Sequence, residues 1–291
     1  MAVPICQAEP GNWRIVPNIG YATVDFRGVN ANAARYRDAM SSFFKGYMAF
    51  PDYTGLPIYI GSVKYTVDEV SSGLVGSVDL GYQLFSGGGV GFRLGYLKPG
   101  DLKVKGVGSA YAPFRIWGFD TIDHKWKWIT VGWWPGEVTL ADEGTISSYA
   151  ASLLAGGWIE GGEKQGLNYS AFIYAGPSYA RRKAVQKTDF TDSYYSYTYS
   201  MAYTSEASGM QAGFELGGKL GYGVGDYASF FAEFGFRYQE IAYMREARDI
   251  DVDGDGIIDI HKKDRAVDFN GTPVVYNFSG VSLKAGIQLQ F

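Results

Sequence analysis

The sequence predicts an all-β fold: a closed antiparallel up-and-down transmembrane β-barrel of eight strands, with ten as the alternative, and long extracellular loops. Three observations predict it. Apolar and polar residues alternate with period two in one segment after another. The composition, 16% aromatic against 19% charged, belongs to a folded chain with ample apolar surface to bury. No window of about 18 residues is continuously apolar, which excludes a spanning helix but not barrel strands, whose lipid-facing and lumen-facing residues alternate.

The first strand is expected over about 15–26, with Ala22, Val24 and Phe26 facing lipid and Tyr21, Thr23 and Asp25 the lumen. A hairpin follows. Val78, Leu80, Tyr82 and Leu84 alternate with Ser77, Asp79, Gly81 and Gln83, then turn through Ser86-Gly87-Gly88-Gly89 into Val90, Phe92, Leu94 and Tyr96. Strands at about 147–160 and 168–180 are joined by the polar stretch 161–166. Met210 to Tyr222 and Phe230 to Tyr238 make another hairpin through Gly223-Val224-Gly225-Asp226. Val281, Leu283, Ala285, Ile287, Leu289 and Phe291 close the chain with unbroken alternation. An even strand number and three short turns place both termini on the periplasmic side. The long connections, about 27–72, 98–146, 181–208 and 244–277, then lie outside the cell. Within them, 101–119, 126–134 and 194–204 also have strand character and read as barrel extensions above the membrane; paired into the ring they would make ten strands. Residues 13–291 form one domain, and 1–12 are either a residual export signal, with Cys6-Gln7-Ala8 at its cleavage end, or a flexible N-terminus.

This pattern resembles the small eight-stranded OmpA/OmpX-type barrels of Gram-negative outer membranes, and the terminal aromatic Phe291 resembles their C-terminal assembly signal. The resemblance lies in the strands and implies an outer-membrane location with function carried by loops. A net charge of −4 argues against nucleic acid as a partner. The expected role is a non-enzymatic anchor or scaffold whose loops bind a protein or glycan partner or the envelope surface; a narrow channel for ions or small solutes is the alternative. Neither His124 nor His261 sits in a recognisable catalytic pattern.

Five groups of residues are singled out. Asp25, Asp79, Glu215 and Glu233 against Arg93, Lys219, Arg237 and Lys284 balance in sign at inferred lumen positions, and an eight-stranded interior is just wide enough for side chains to fill it as a salt-bridged plug. Asp251, Asp253, Asp255 and Asp259, with the carbonyl of Ile257, read as D-x-D-x-D-G-x-x-D, similar to the calcium loops of EF-hands, dockerins and thrombospondin type 3 repeats, with Lys262 where an EF-hand has its bidentate Glu. A structural Ca2+ is therefore expected. Trp117, Trp126, Trp128, Trp133 and Trp134 fit either a membrane-interface belt or a recognition surface. Arg181, Arg182 and Lys183 follow a strand at its outer end, where they fit lipopolysaccharide phosphates. Finally, 32–50 places Met40, Phe43, Phe44, Tyr47 and Met48 at helical spacing, one amphipathic helix that lies in the interface or caps the barrel mouth.

Overall fold

The computed structural model describes residues 11–242, 244–267 and 271–291, so Cys6 and nearly all of the N-terminal segment 1–12 lie outside the described residues. The elements run β1 (Trp13–Thr23), α1 (Arg27–Met48), β2 (Ile60–Asp68), β3 (Ser72–Phe85), β4 (Gly88–Pro99), β5 (Leu102–Asp120), β6 (Lys125–Gly162), β7 (Leu167–Asp192) and β8 (Tyr197–Gly223), then β9 (Ala228–Tyr238), β10 (Glu240–Ile241), β11 (Arg245–Asp251), β12 (Ile260–Arg265), β13 (Tyr276–Asn277) and β14 (Gly280–Gln290).

The alternating segments form a ring of strands. β1 lies between β3 and β14, and partners continue through β4, β6, β7, β8 and β9 back to β14, every pair antiparallel. Tight connections after β3, β6 and β8 lie at the end where the Trp13 amide donates to the Phe291 carbonyl at 3.1 Å. Along the ring strands the outward residues are large and apolar, while the inward ones are charged, small or aromatic.

In β1 the phase is opposite to the sequence expectation. Arg14, Val16, Asn18 and Ala22 point inward, whereas Tyr21, 72% exposed, points outward. Asp25 is therefore not a lumen residue: the chain has left the ring by Thr23, and its carboxylate forks onto exposed Arg27 at 2.7 Å. Ala22, Val24 and Phe26, expected on lipid, instead join Leu97, Tyr276 and Phe278 in an apolar core cluster. At this level the inside is an apolar cluster and not a polar lumen, so the apolar set faces inward, in phase with Arg14 and Asn18 upstream.

Within the long connections, 101–119 and 126–134 carry strand as expected, and the strands also run through 135–146 and 181–192, which were expected as loop. β4 reaches Leu97 opposite Ala150, and after Gly100-Asp101 β5 resumes opposite Ile146 on the same strand β6. β2 takes the place beside β5 that β3 holds beside β4, and β11 takes the place of β9 beside β8, with β12 outside it. A sheet ordered β2-β5-β6-β7-β8-β11-β12 thus rises beyond the ring. From Ala150 to Lys125, β6 runs roughly 80 Å along its own length at about 3.3 Å per residue. In 194–204, strand begins only at Tyr197, after a turn that holds Ser196 at φ 53°.

α1 occupies the inside of this extension. It starts at Arg27, earlier than the spacing predicts, with Phe26 giving no side-chain cap and no acid in its first turn. Its own ends therefore stabilise it little, and packing must hold it. Phe44 and Met48 join Tyr59, Ala110, Leu140 and Phe190 in a second apolar cluster. Two buried carboxylates hang the helix on the wall. Asp142 accepts Tyr36 from α1 and Tyr65 from β2, both at 3.1 Å, with Gln186 and Thr188 on its other oxygen. Asp192 accepts Tyr47 from α1 at 2.7 Å, Tyr59, and the amides of Tyr194 and Tyr195. Burial, and then the neighbouring carboxylate, raise the phenol pKa of all four tyrosines.

Candidate functional site

The lumen is the most densely constructed polar site. Asp79 of β3 and Arg93 of β4 are direct cross-strand partners, as are Glu215 with Arg237 and Glu233 with Lys284. Register therefore sets acid against base before any long-range contact forms. Arg93, 0% exposed, then spans the interior. Its guanidinium forks onto Asp79 at 2.7 and 2.8 Å, meets Glu233 at 3.0 and 3.1 Å, and lies 3.0 Å from Glu215. Lys284 bonds Glu215 at 2.6 Å and Glu233 at 2.8 Å, while Lys219 bonds Asp79 at 2.8 Å. Arg237 stands 3.7 Å from Glu215. The rings of Phe172 and Tyr174 sit 4.2 and 4.9 Å from the Arg93 guanidinium carbon. Geometry of this kind holds buried charges because each one has partners on several sides.

Sequence reasoning missed the lower tier. Arg14 bonds Glu160 at 3.0 Å and lies 3.2 Å over the Trp158 ring, with Gln83 on the other Glu160 oxygen at 3.1 Å. The signal was present: Arg14 is in phase with Val16 and Asn18, and Glu160 with Trp158.

The ring's outer face carries two aromatic rows. Trp13, Tyr82, Tyr222 and Phe291 are exposed at the tight-turn end; Tyr21, Tyr96 and Tyr179 are exposed at the other, where Tyr149 stacks between Tyr96 and Tyr179. From Trp13 to Tyr21 the tilted strand rises roughly 20 Å, close to the ~25 Å apolar band of such barrels. Apolar outside, charged inside and girdled at both edges, this is the surface of a β-barrel protein of the bacterial outer membrane.

Trp117, Trp126, Trp128, Trp133 and Trp134 do not build either row. All five lie towards the tip of the β5–β6 hairpin, where Trp117, Trp126, Trp133 and Trp134 are exposed beside Phe114 and Ile122. Their rings interlock: Trp117 with Trp128 at 5.6 Å, Trp128 with Tyr53 at 5.5 Å, and Phe114 with Trp134 at 5.0 Å. The belt reading is thus corrected, because β5 and β6 pair with each other far beyond the ring.

The basic trio divides by strand alternation. Arg181 and Lys183 face outward near Glu206, at 2.5 and 4.0 Å. Arg182 faces inward, 8% exposed, held by Glu246, Ser205 and Tyr276, so it is no lipid contact. Arg181 and Arg245 instead flank Ser208 in one register row, directly beyond the Tyr179–Met210 pair.

The aspartate loop joins β11 to β12. Gly254 and Gly256 adopt φ of +77° and +89°, which glycine adopts without strain. Oxygens of Asp251, Asp253 and Asp259 lie within 4.8 Å of one another. Asp255 is not part of this group; its carboxylate accepts the Ile257 amide at 2.7 Å, so Asp255 and Ile257 form a local turn instead of the expected ligand pair. Next to the loop, His261 meets Asp249 across β11–β12 at 2.5 Å, a pairing that no sequence pattern marks.

No family model and no curated protein matches the chain. Among solved structures it is similar to the outer membrane protein OprG from Pseudomonas aeruginosa, at 13% identity over 99% of both chains with a TM-score of 0.30. It is also similar to a major outer membrane protein from Thermus thermophilus, at 14% identity over 96% of this chain and 99% of that one, TM-score 0.31. A third is the outer membrane protease OmpT from Escherichia coli, at 10% identity over 97% of both chains, TM-score 0.31. The third of these proteins is a protease; fold by itself does not decide function, so the expectation of a non-enzymatic chain is withdrawn.

Proposed function

We propose that the ring is a closed eight-stranded transmembrane barrel serving as an outer-membrane anchor, and that the extension it carries is an ordered extracellular scaffold that binds a partner at its aromatic tip. The observation that carries this reading is the interior itself. Asp79, Arg93, Glu215 and Glu233 are wholly buried and mutually paired at mid-barrel, where a channel needs open space. The extension, by contrast, is long, well paired and tipped with exposed Trp side chains, which make effective anchors in binding interfaces. A chain shortened by joining β5 to β6 below Tyr111 will keep the heat-dependent gel shift of a folded barrel and lose partner capture on whole cells. Undiminished capture by the shortened chain contradicts the reading.

Two further partners belong to the proposal. Arg181 and Arg245, just above the girdle, contact phosphates of lipopolysaccharide in the outer leaflet. Asp251, Asp253 and Asp259 hold a structural calcium ion: three hard carboxylates converging on one point offer part of its oxygen shell, and the ion would offset their mutual repulsion at the hairpin end. Chelation is expected to speed proteolysis within 251–259 several-fold at neutral pH, with restoration by calcium. Identical cleavage with and without the ion removes the metal from this account.

A further inference from the structure

Two adjoining cavities that share Met40 and Met201 lie along α1 inside the extension as the arms of one candidate site, and nothing in the anchor reading assigns it a role. Its upper arm, about 780 Å3, lies between α1 and the β7–β8 hairpin and is lined by Met40, Phe44, Phe190, Tyr197 and Met201. Its lower arm, about 450 Å3, shares Met40 and Met201 and descends to Arg182, Glu246 and Arg248 above the ring. Both volumes fall within the usual range for small-molecule sites, and the walls are chiefly apolar with a few polar groups gathered at one end, as ligand pockets are.

The polar end is rich in buried donors. Arg182 and Arg248 both face Glu246, whose oxygens are already engaged: Oε1 by Arg182 and Ser205, Oε2 by Arg248 at 3.4 Å. Among the described residues, the one other acid ion-paired with Arg248 is Asp264, 3.9 Å away and exposed outside the cavity. The two guanidinium groups share the one carboxylate of Glu246 in the cavity wall, while Asp264 answers Arg248 from outside and the buried Asp142 stands behind Tyr36 and Gln186, so hydrogen-bond donors, not net charge, are left over at this end. Moreover, Nε of Arg182 is buried without a hydrogen-bond partner, although the residue is over nine-tenths buried. A buried donor on a cation, left without an acceptor, is costly unless an acceptor enters the cavity.

We infer that this cavity binds a long-chain monocarboxylate, its carboxylate at Arg182 and Arg248 and its apolar chain running past Met201 and Met40 towards Phe44 and Phe190. Two flexible thioethers at the junction of the arms suit a chain that bends there. The ligand class follows from hydrogen bonding and shape together: an uncharged hydrocarbon leaves the buried Nε donors of Arg182 and Arg248 without an acceptor, and a small anion leaves the apolar arm empty. This inference goes beyond the anchor reading and stands whether or not the tip binds a partner.

The test uses the full chain folded in amphipol, with cis-parinarate as a fluorescent long-chain carboxylate and its methyl ester as the uncharged counterpart. Saturable binding is expected, with the ester at least about tenfold weaker, as loss of one charge-assisted hydrogen bond implies. Arg248→Gln, at a partly exposed side chain whose loss leaves the Arg182–Glu246 pair intact, should weaken the acid about tenfold and leave the ester unchanged. Met201→Trp, which fills the junction, should abolish binding of both while the gel shift persists. Equal affinity for acid and ester, saturable binding that survives Met201→Trp, or no saturable binding by the folded native chain overturns the inference.

Discussion

Arg93→Leu will leave the ring unable to reach a stable folded state. The substitution strands Asp79, Glu215 and Glu233 together in the interior with only the lysines and Arg237 to answer them. Breaking a buried pair by removing one partner costs about 3–5 kcal/mol, and here one side chain serves three acids, against a typical total stability of about 5–15 kcal/mol. The expected result is loss of the heat-modifiable band, or a urea midpoint so low that folded protein does not accumulate. Arg93→Lys will fall between, because an ammonium cannot fork onto Asp79 and reach Glu233 at once. Leu94→Ala, one residue on but outward and half exposed, serves as the control and should fold. A folded Arg93→Leu barrel with near-native stability would show that the network is ornamental.

Asp192→Asn will release the C-terminal half of α1 without unfolding the ring. The carboxylate accepts two phenols and two amides, and exchanging half of it for an amide donor sets that donor against Tyr47 and Tyr59. Hydrogen bonds to a charged group contribute about 1.5–3 kcal/mol each, so a local loss of about 3 kcal/mol is expected. Tryptic cleavage at Lys45 should accelerate by roughly two orders of magnitude at that cost, while the gel shift stays. Asp142→Asn should act in the same way on the half of α1 that carries Tyr36. The same clamps predict an alkaline limit. Burial, then the adjacent carboxylates, raise the phenol pKa of Tyr36, Tyr47, Tyr59 and Tyr65 in the folded chain. Their contribution is therefore fully present below about pH 10, the unfolded tyrosine value, and declines above it towards the raised folded values. Lys45 cleavage measured across pH 8–11 checks this; protection that declines below pH 9 or is constant to pH 11 contradicts it.

Each segment that the alternation marks as a strand is a strand in the structure, because a sheet with one greasy and one polar face writes its period directly into the sequence. Where that contrast fades, the reading fails. At residues 21–26 the inside is an apolar cluster instead of a polar lumen, so the apolar set faces inward and Asp25 falls on the wrong face. β5 and the outer part of β6 have exposed residues on both faces near the tip, so 101–119 and 126–134 were legible as strand extensions but their join to the ring strands, through 135–146 of β6, was not. The charged lumen was legible in its upper tier because Asp79, Glu215, Glu233 and Lys284 interrupt clean apolar alternation. The α1 clamps were not, since a tyrosine looks the same in sequence whether it faces lipid, solvent or a buried carboxylate. Nor could sequence separate Arg182 from its neighbours until the phase of β7 was fixed.

The most direct test of the central claim is single-channel recording on the refolded native chain in a planar bilayer, after the gel shift has confirmed folding and insertion has been verified. A silent membrane is the predicted result, because Arg93 and its three carboxylates occupy the lumen. Steady, reproducible conductance steps would contradict it and make transport, not the extracellular scaffold, the work of this barrel.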